Sequence, residues 1–321
     1  MTPDAPVLPA AAGERSPARI GLGLAALGRP GYLNLGHGQD LGPDRSPDAL
    51  RAQSFRLLDA AVAAGVRYLD AARSYGRGEE FLGAWLDARR PAGVVVGSKW
   101  GYVYTAGWEI AADPPEVKHH DVDTFRRQLE ETRALLGNRL RLYQIHSATP
   151  DSGVLEDDAV LDALRELRST GVAIGATTSG TSQGETVDRA RELGCFDAVQ
   201  TTWNLYEQSA GRALERAHAA GMEVIVKEAL ANGRLSPRGA DPVLARVAAE
   251  LGAGADAVAL AAVLAQPFAD VVLSGAVTED ALHSNLAAAA LDLPDGALRE
   301  LEALAEDPGR YWSARGALAW T

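Results

Sequence analysis

Short runs of β-branched and aliphatic residues alternate along the chain with longer stretches whose apolar positions recur at helical spacing. The runs fall at 20–24, 66–69, 94–97, 140–145, 172–176, 198–201, 223–226 and 271–273, giving eight expected strands. Between them the spacing predicts helices over 49–64, 79–89, 123–136, 159–169, 183–193 and 210–220, a split pair at 242–251 and 256–265, and a last one at 279–289. Asp121 or Asp123, and Ser209, stand where helix N-caps are expected. Strands that are apolar almost throughout belong to a sheet covered by helices, and their alternation with helices implies parallel pairing. Eight such units predict an α/β fold: a closed (β/α)8 TIM barrel forming one domain over 19–321. At 321 residues, 47% of them hydrophobic, the chain can build one large core.

Three segments fall outside the repeat. Residues 28–47 are rich in Gly, Pro and Asp, residues 101–120 carry Tyr102, Tyr104 and Trp108, and the tail after 305 holds Tyr311, Trp312 and Trp320. Loops beyond about 12–15 residues are usually functional or disordered. Both internal ones leave strand ends, so Trp100, Tyr104 and Trp108 are expected to line a substrate site. The first 18 residues contain Asp4 and Glu14 and lack an apolar stretch, which reads as a disordered leader and not as a signal peptide. A net charge of −12 sets the average surface against nucleic acid and anionic membranes. The lone Cys195 excludes an intrachain disulfide and fits a reducing compartment, and no apolar run approaches the roughly 20 residues of a membrane span. The expectation is a soluble cytoplasmic protein acting on a small molecule; oligomeric state is not legible.

Candidate chemistry collects at strand ends, where barrels of this kind place it. The second run ends on Asp70, with Tyr75 five residues later beside Gly76, which permits a tight turn. Lys99 closes 94–99 and His146 closes 140–146. Singly, each has an ordinary structural explanation. Together they occupy three successive β/α units, which packing alone does not require. Other signals are weaker. Gly21-Leu-Gly23-Leu-Ala-Ala26 resembles a dinucleotide fingerprint, but no helix opens after it. His119 and His120 with Asp121 and Asp123 read as a solvated loop entering a helix cap. His37, His218 and His283 lack ligand-spaced partners, and Cys195 lacks a basic neighbour, so it reads as a buried thiol and no metal is expected.

The residues resemble those of the aldo-keto reductase superfamily, from Gly21 to about Ala290. The likeness rests on Tyr68-Leu-Asp70-Ala-Ala-Arg-Ser-Tyr75-Gly76 with Glu79/Glu80 and Leu82-Gly83, on Ser98-Lys99-Trp100-Gly101, and on Leu142-Tyr-Gln-Ile-His146-Ser147. It implies a barrel that uses NADP(H) or NAD(H) without metal, with Asp70, Tyr75, Lys99 and His146 as catalytic tetrad. Further matches at 174–179, 200–204 and 274–285 imply a cofactor lining of Gly23, Leu24, Asp70, Thr177, Thr178, Gln200, Trp203, Lys227, Ala229, Leu230, Ser274, Gly275, Ala276 and Asn285.

A hydride delivered to a carbonyl carbon leaves an alkoxide that needs a proton. Tyr75 would supply it, Lys99 would lower the phenol's pKa, Asp70 would orient Lys99, and His146 would hydrogen-bond the carbonyl oxygen. Three departures from the family pattern stand out. Ala71 replaces a common Thr. Lys227 stands where relatives often place an aromatic against the nicotinamide, leaving Trp203 or another ring to stack. Residues 274–277 offer no Lys or Arg to a 2′-phosphate, and Ala281 stands where some relatives carry Arg. NADP is the family default, and NAD is the alternative.

Two other functions fit the same residues: a cofactor-binding regulatory protein with weak catalysis, and a lyase using Lys99 as a Schiff-base amine. Asn34, His37, Gln39 and Asp40 lean toward a hydroxylated substrate such as an aldose; the aromatic residues suit a sugar or an apolar ketone equally.

Overall fold

The computed structural model describes residues 6–9, 16–32, 34–35 and 37–319. Trp320 and positions 1–5 and 10–15 of the expected leader lie outside the described residues.

The strands are β1 (Ile20–Gly23), β2 (Tyr68–Asp70), β3 (Val95–Trp100), β4 (Tyr102–Tyr104), β5 (Glu116–Lys118), β6 (Leu140–Ala148), β7 (Ala173–Thr178), β8 (Ala198–Thr202), β9 (Glu223–Lys227) and β10 (Val271–Ser274). Eight of them, all but the β4–β5 pair, close into a parallel barrel in the order β1, β2, β3, β6, β7, β8, β9, β10. All eight expected strands form. β3, β6 and β7 run two or three residues past the apolar runs, and β2, β8, β9 and β10 one, because polar residues at the ends still join the ladder. The α/β barrel reading therefore holds.

The helices are α1 (Pro47–Ala63), α2 (Gly78–Arg89), α3 (Val122–Leu136), α4 (Asp158–Ser169), α5 (Gln183–Leu193), α6 (Gly211–Ala219), α7 (Pro242–Leu251), α8 (Ala255–Leu264), α9 (Glu279–Ala287), α10 (Asp295–Glu302) and α11 (Pro308–Gly316). Caps explain several starts. Ser46, Asp241 and Asp307 each accept a backbone N–H just ahead of a Pro, and Asp157 and Thr278 cap α4 and α9. Asp121 caps α3 through Thr124 N at 2.7 Å. Ser209 caps nothing: its hydroxyl donates to Glu207 instead, and α6 starts after Ala210 without a side-chain cap.

The main core lies between the barrel wall and the helices, and α8 is buried on every side. A smaller cluster around Tyr68, Leu142, Ala198 and Ile225 fills the barrel interior and takes in Leu8. Glu223 accepts the Val7 and Leu8 N–H groups at 3.0 Å, which seats residues 6–9 against the N-terminal end of the barrel. Among the described residues no single helix is long and apolar enough to cross a membrane.

Two segments expected to lack regular structure have it. Within 101–120, β4 and β5 pair antiparallel. The tail after 305 holds α11, with Tyr311 buried and its hydroxyl accepting from Asn204 Nδ2 at 2.9 Å.

Candidate active site

β2 carries Asp70 into the C-terminal rim, where it pairs in register with Gly23 and Gly97 of the flanking strands. β3 brings Lys99 to the same level, and the turn after β2 brings Tyr75. That turn is closed by two glycines. A Cβ on Gly28 would stand 2.1 Å from the Tyr75 carbonyl oxygen, and one on Gly76, at φ +55°, would stand 2.4 Å from the Gly28 carbonyl oxygen. The loop after β1 thus fixes the backbone of Tyr75.

The ammonium of Lys99, 1% exposed, is fully engaged. It donates to Asp70 Oδ2, to the Ala71 carbonyl at 3.0 Å and to the Tyr75 hydroxyl oxygen at 3.2 Å. Asp70 accepts on its other oxygen from Gln200 Nε2 at 3.0 Å and Tyr68 OH at 3.2 Å. His146, at the end of β6, meets the Tyr75 ring edge-on at 5.6 Å, and Ser74 Oγ lies 3.4 Å from its Nδ1. The four residues singled out at strand ends are thus brought together.

The electrostatics differ from the expectation in one respect. Burial and the Asp70 charge push the Tyr75 phenol well above its ordinary value, so Lys99 does not produce a lowered pKa in the resting site. The reason is physical: the phenol is enclosed, and the carboxylate that anchors Lys99 opposes the ammonium. His146 is driven well below the usual imidazole value, first by burial, then by Lys99, Arg29 and Lys227, and is neutral.

A cleft of about 490 Å³ opens beside the tetrad. Asp70, Tyr75 and Gln200 line one end. Lys227, Glu228, Ala229 and Leu230 line its middle, and Ser274, Gly275, Ala276 and Asn285 lie toward the N-terminus of α9; Gly23 also faces it. Leu24, Thr177, Thr178 and Trp203 do not line it. Leu24 is core, Thr177 accepts from Ser147 N at 2.7 Å, Thr178 bonds Thr201, and Trp203 packs on Phe268. The expected aromatic lining also moves. Trp100 is buried against Phe125 and His120; Trp108 meets Phe81 edge-on and donates to the Arg45 carbonyl; Tyr104 sits in β4. The aromatic rings facing the cleft are those of Tyr32 and Tyr75. A larger hollow of about 850 Å³ lies at the opposite end, near Leu8 and Glu223, far from the tetrad.

Several residues of the site carry no sequence signal of their own. Arg29, 1% exposed, pairs with Glu116 of β5 at 2.9 Å and lies over the rings of Tyr32 and Tyr75 at 4.2 and 5.3 Å. Tyr102 meets His146 edge-on at 5.0 Å. His120 is not solvated as expected: its Nε2 lies 2.8 Å from the His146 carbonyl oxygen, and burial brings its pKa down to about 4. Glu228, just after β9, and Ser147, near the end of β6, have φ of +56° and +54°, strained for residues with side chains. Glu228 is gripped by Arg315 of α11, with Nε 2.9 Å from Oε2. Cys195 is buried and unpaired.

The chain matches the model of the Aldo/keto reductase family over residues 19–306. It belongs to that family. An aldo-keto reductase of Strobilurus tenacellus is 23% identical, covering 92% of this chain and 91% of the relative. An aldo-keto reductase structure from Pseudomonas aeruginosa superposes with a TM-score of 0.62 at 27% identity, covering 85% of this chain and 91% of that one. The fold is also that of the glycerol dehydrogenase from Gluconobacter oxydans, at TM-score 0.69 and 20% identity over 89% and 90% of the two chains. Family membership implies an oxidoreductase of the NAD(P)-dependent, carbonyl-reducing class.

The cleft of this aldo-keto reductase fits such a cofactor. A Cβ on Gly275 would meet nothing within 4 Å, and the buried Asn232 Oδ1 on the cleft wall has no protein donor.

Proposed function

We propose that the protein reduces the carbonyl of a small aldehyde, ketone or sugar, or runs the reverse oxidation, with Tyr75 as acid and base. The observation that carries this is the contact between the buried Lys99 ammonium and the Tyr75 hydroxyl oxygen at 3.2 Å. Because that oxygen already accepts from Lys99, its own proton is directed elsewhere, toward a substrate in the cleft. The high phenol pKa keeps the proton in place until an alkoxide forms. Lys99 then stabilises the phenolate left behind through a charge-assisted hydrogen bond. Neutral His146, with Nδ1 beside Ser74, offers its other nitrogen as donor to the carbonyl oxygen. A bound nicotinamide would supply the hydride; Gln200, by holding Asp70, keeps the Lys99–Tyr75 geometry fixed.

The Schiff-base reading of Lys99 is disfavoured by its three hydrogen bonds, which leave the amine no free lone pair. The weak-catalyst reading is disfavoured by the intact assembly of the four residues.

Cofactor preference follows from charge. Asp256, Ser284, Asn285 and Ala281 line the cleft near α9, and the Arg238 guanidinium lining it is tied to Asp40. Among the described residues a 2′-phosphate would find a carboxylate there and no uncommitted cation, which favours NAD(H) over the family default NADP(H). Fluorescence titration with NADH and NADPH tests both points. NADH is expected to saturate, with NADPH no tighter. Saturation by NADPH alone would reverse the preference, and saturation by neither would remove the oxidoreductase reading.

A further inference from the structure

Lys227 faces the cleft yet has no part in the proton path. It ends β9 opposite Thr202, whose hydroxyl accepts from Nζ at 2.8 Å. Its other near partner is Glu228, 3.7 Å away. That carboxylate is already committed to Arg315, which holds it in a bidentate pair with Nε and Nη2 at 2.9 and 2.5 Å. Two cations therefore share one anion, and the anion leans toward Arg315. The uncompensated positive charge sits at Lys227, on the cleft side, within electrostatic reach of Lys99 and His146.

Hydride and proton add to the two atoms of one C=O bond. Lys227 lines the same cleft as Tyr75 and Asp70, so a nicotinamide reacting beside Tyr75 would lie in its field. The oxidised ring carries a positive charge and the reduced ring is neutral. Resting on the nicotinamide reading above, we propose that Lys227 discriminates between redox states: its ammonium makes the cleft hold reduced cofactor and reject the oxidised form. Like charges held in one partly buried cleft disfavour binding by about ten- to a hundred-fold at an effective dielectric typical of protein sites. The effect acts on loading and release. The enzyme charges itself with reduced cofactor and expels the oxidised product, at some loss of hydride-donating drive.

The side chain is also able to lose its charge. Burial, only partly offset by Glu228, brings Lys227 down to about 8. The charged groups around it are Glu228, held ionised at about 2, the Arg315 and Lys99 cations, and neutral His146. Above pH 8, loss of the Lys227 proton should admit the oxidised cofactor more readily and leave the reduced form unaffected.

The test is a set of equilibrium titrations with NADH and NAD+, and with NADPH and NADP+, on wild type, Lys227→Met and Lys227→Arg. For wild type at pH 7 the Kd of the oxidised form should exceed that of the reduced form by about tenfold or more. The ratio should fall about tenfold in Lys227→Met, persist in Lys227→Arg, and narrow in wild type between pH 7 and pH 9. The wild-type pH series needs no substitution and stands even if Lys227→Met misfolds. A ratio indifferent to both pH and Lys227→Met overturns this inference and leaves the oxidoreductase reading intact. No saturable binding of any form overturns both.

Discussion

Tyr75 is held in place by contacts too short to admit a substituent. Gly28→Ala would press a methyl group into the Tyr75 carbonyl and the Gly78 backbone. The expected cost is about 1–3 kcal/mol of stability, with turnover lost along with it; thermal unfolding and kcat of the variant check both, and an unchanged Tm would contradict the packing argument. Glu228 gives a second residue-scale outcome. Burial raises its carboxyl, but Lys227 and Arg315 outweigh burial and bring it down to about 2. A depressed native pKa means stability present above the unfolded value near 4.5 and lost as pH falls toward 2. Glu228→Gln should therefore be destabilised at pH 7 by about 3 kcal/mol, with the gap to wild type closing between pH 4.5 and 2 in denaturant melts. Asp70, Tyr75, Lys99 and His146 were legible in the sequence because each sits at or just beyond the end of an apolar run. Glu228, Arg315 and Arg29 were not, since their meaning comes from partners 87 residues away.

At the scale of elements, the barrel was readable and its additions were not. The eight strands announce themselves by β-branched runs bounded by Gly and polar residues. β4 and β5 are three residues each, half-buried and joined by a long connection, too short for alternation to register. They nevertheless shape the site. Lys118 donates to the Ser147 carbonyl at 2.9 Å, and His120 Nε2 meets the His146 carbonyl, so the hairpin fixes the end of β6. His120→Ala should retain the fold and cofactor binding while lowering kcat about tenfold, since small misplacements of a catalytic group are costly. Unaltered kcat would mean that β6 positions His146 without the hairpin. α11 was hidden for a different reason: one buried ring, Tyr311, and a partly buried ion pair through Arg315 anchor it, and neither makes a periodic pattern.

For the whole molecule, the charge of −12 is not evenly relevant. The site itself collects cations, with Lys99, Lys227, Arg315 and Arg29 around Asp70, Glu228 and Glu116. Apart from Lys227, the described lining of the cleft carries one Arg, Arg238, already paired with Asp40, and Asp256 faces the same space. Ala281→Arg should therefore improve NADPH binding relative to NADH, measured as a ratio of Kd values; no change would place the 2′-phosphate elsewhere. Single-turnover oxidation of bound NADH by an activated aldehyde such as 4-nitrobenzaldehyde tests the central claim most directly, comparing wild type with Tyr75→Phe. Both proteins should bind NADH equally, with wild type consuming it and Tyr75→Phe slower by about a hundredfold or more. Equal rates in the two would contradict the assignment of Tyr75 as the acid.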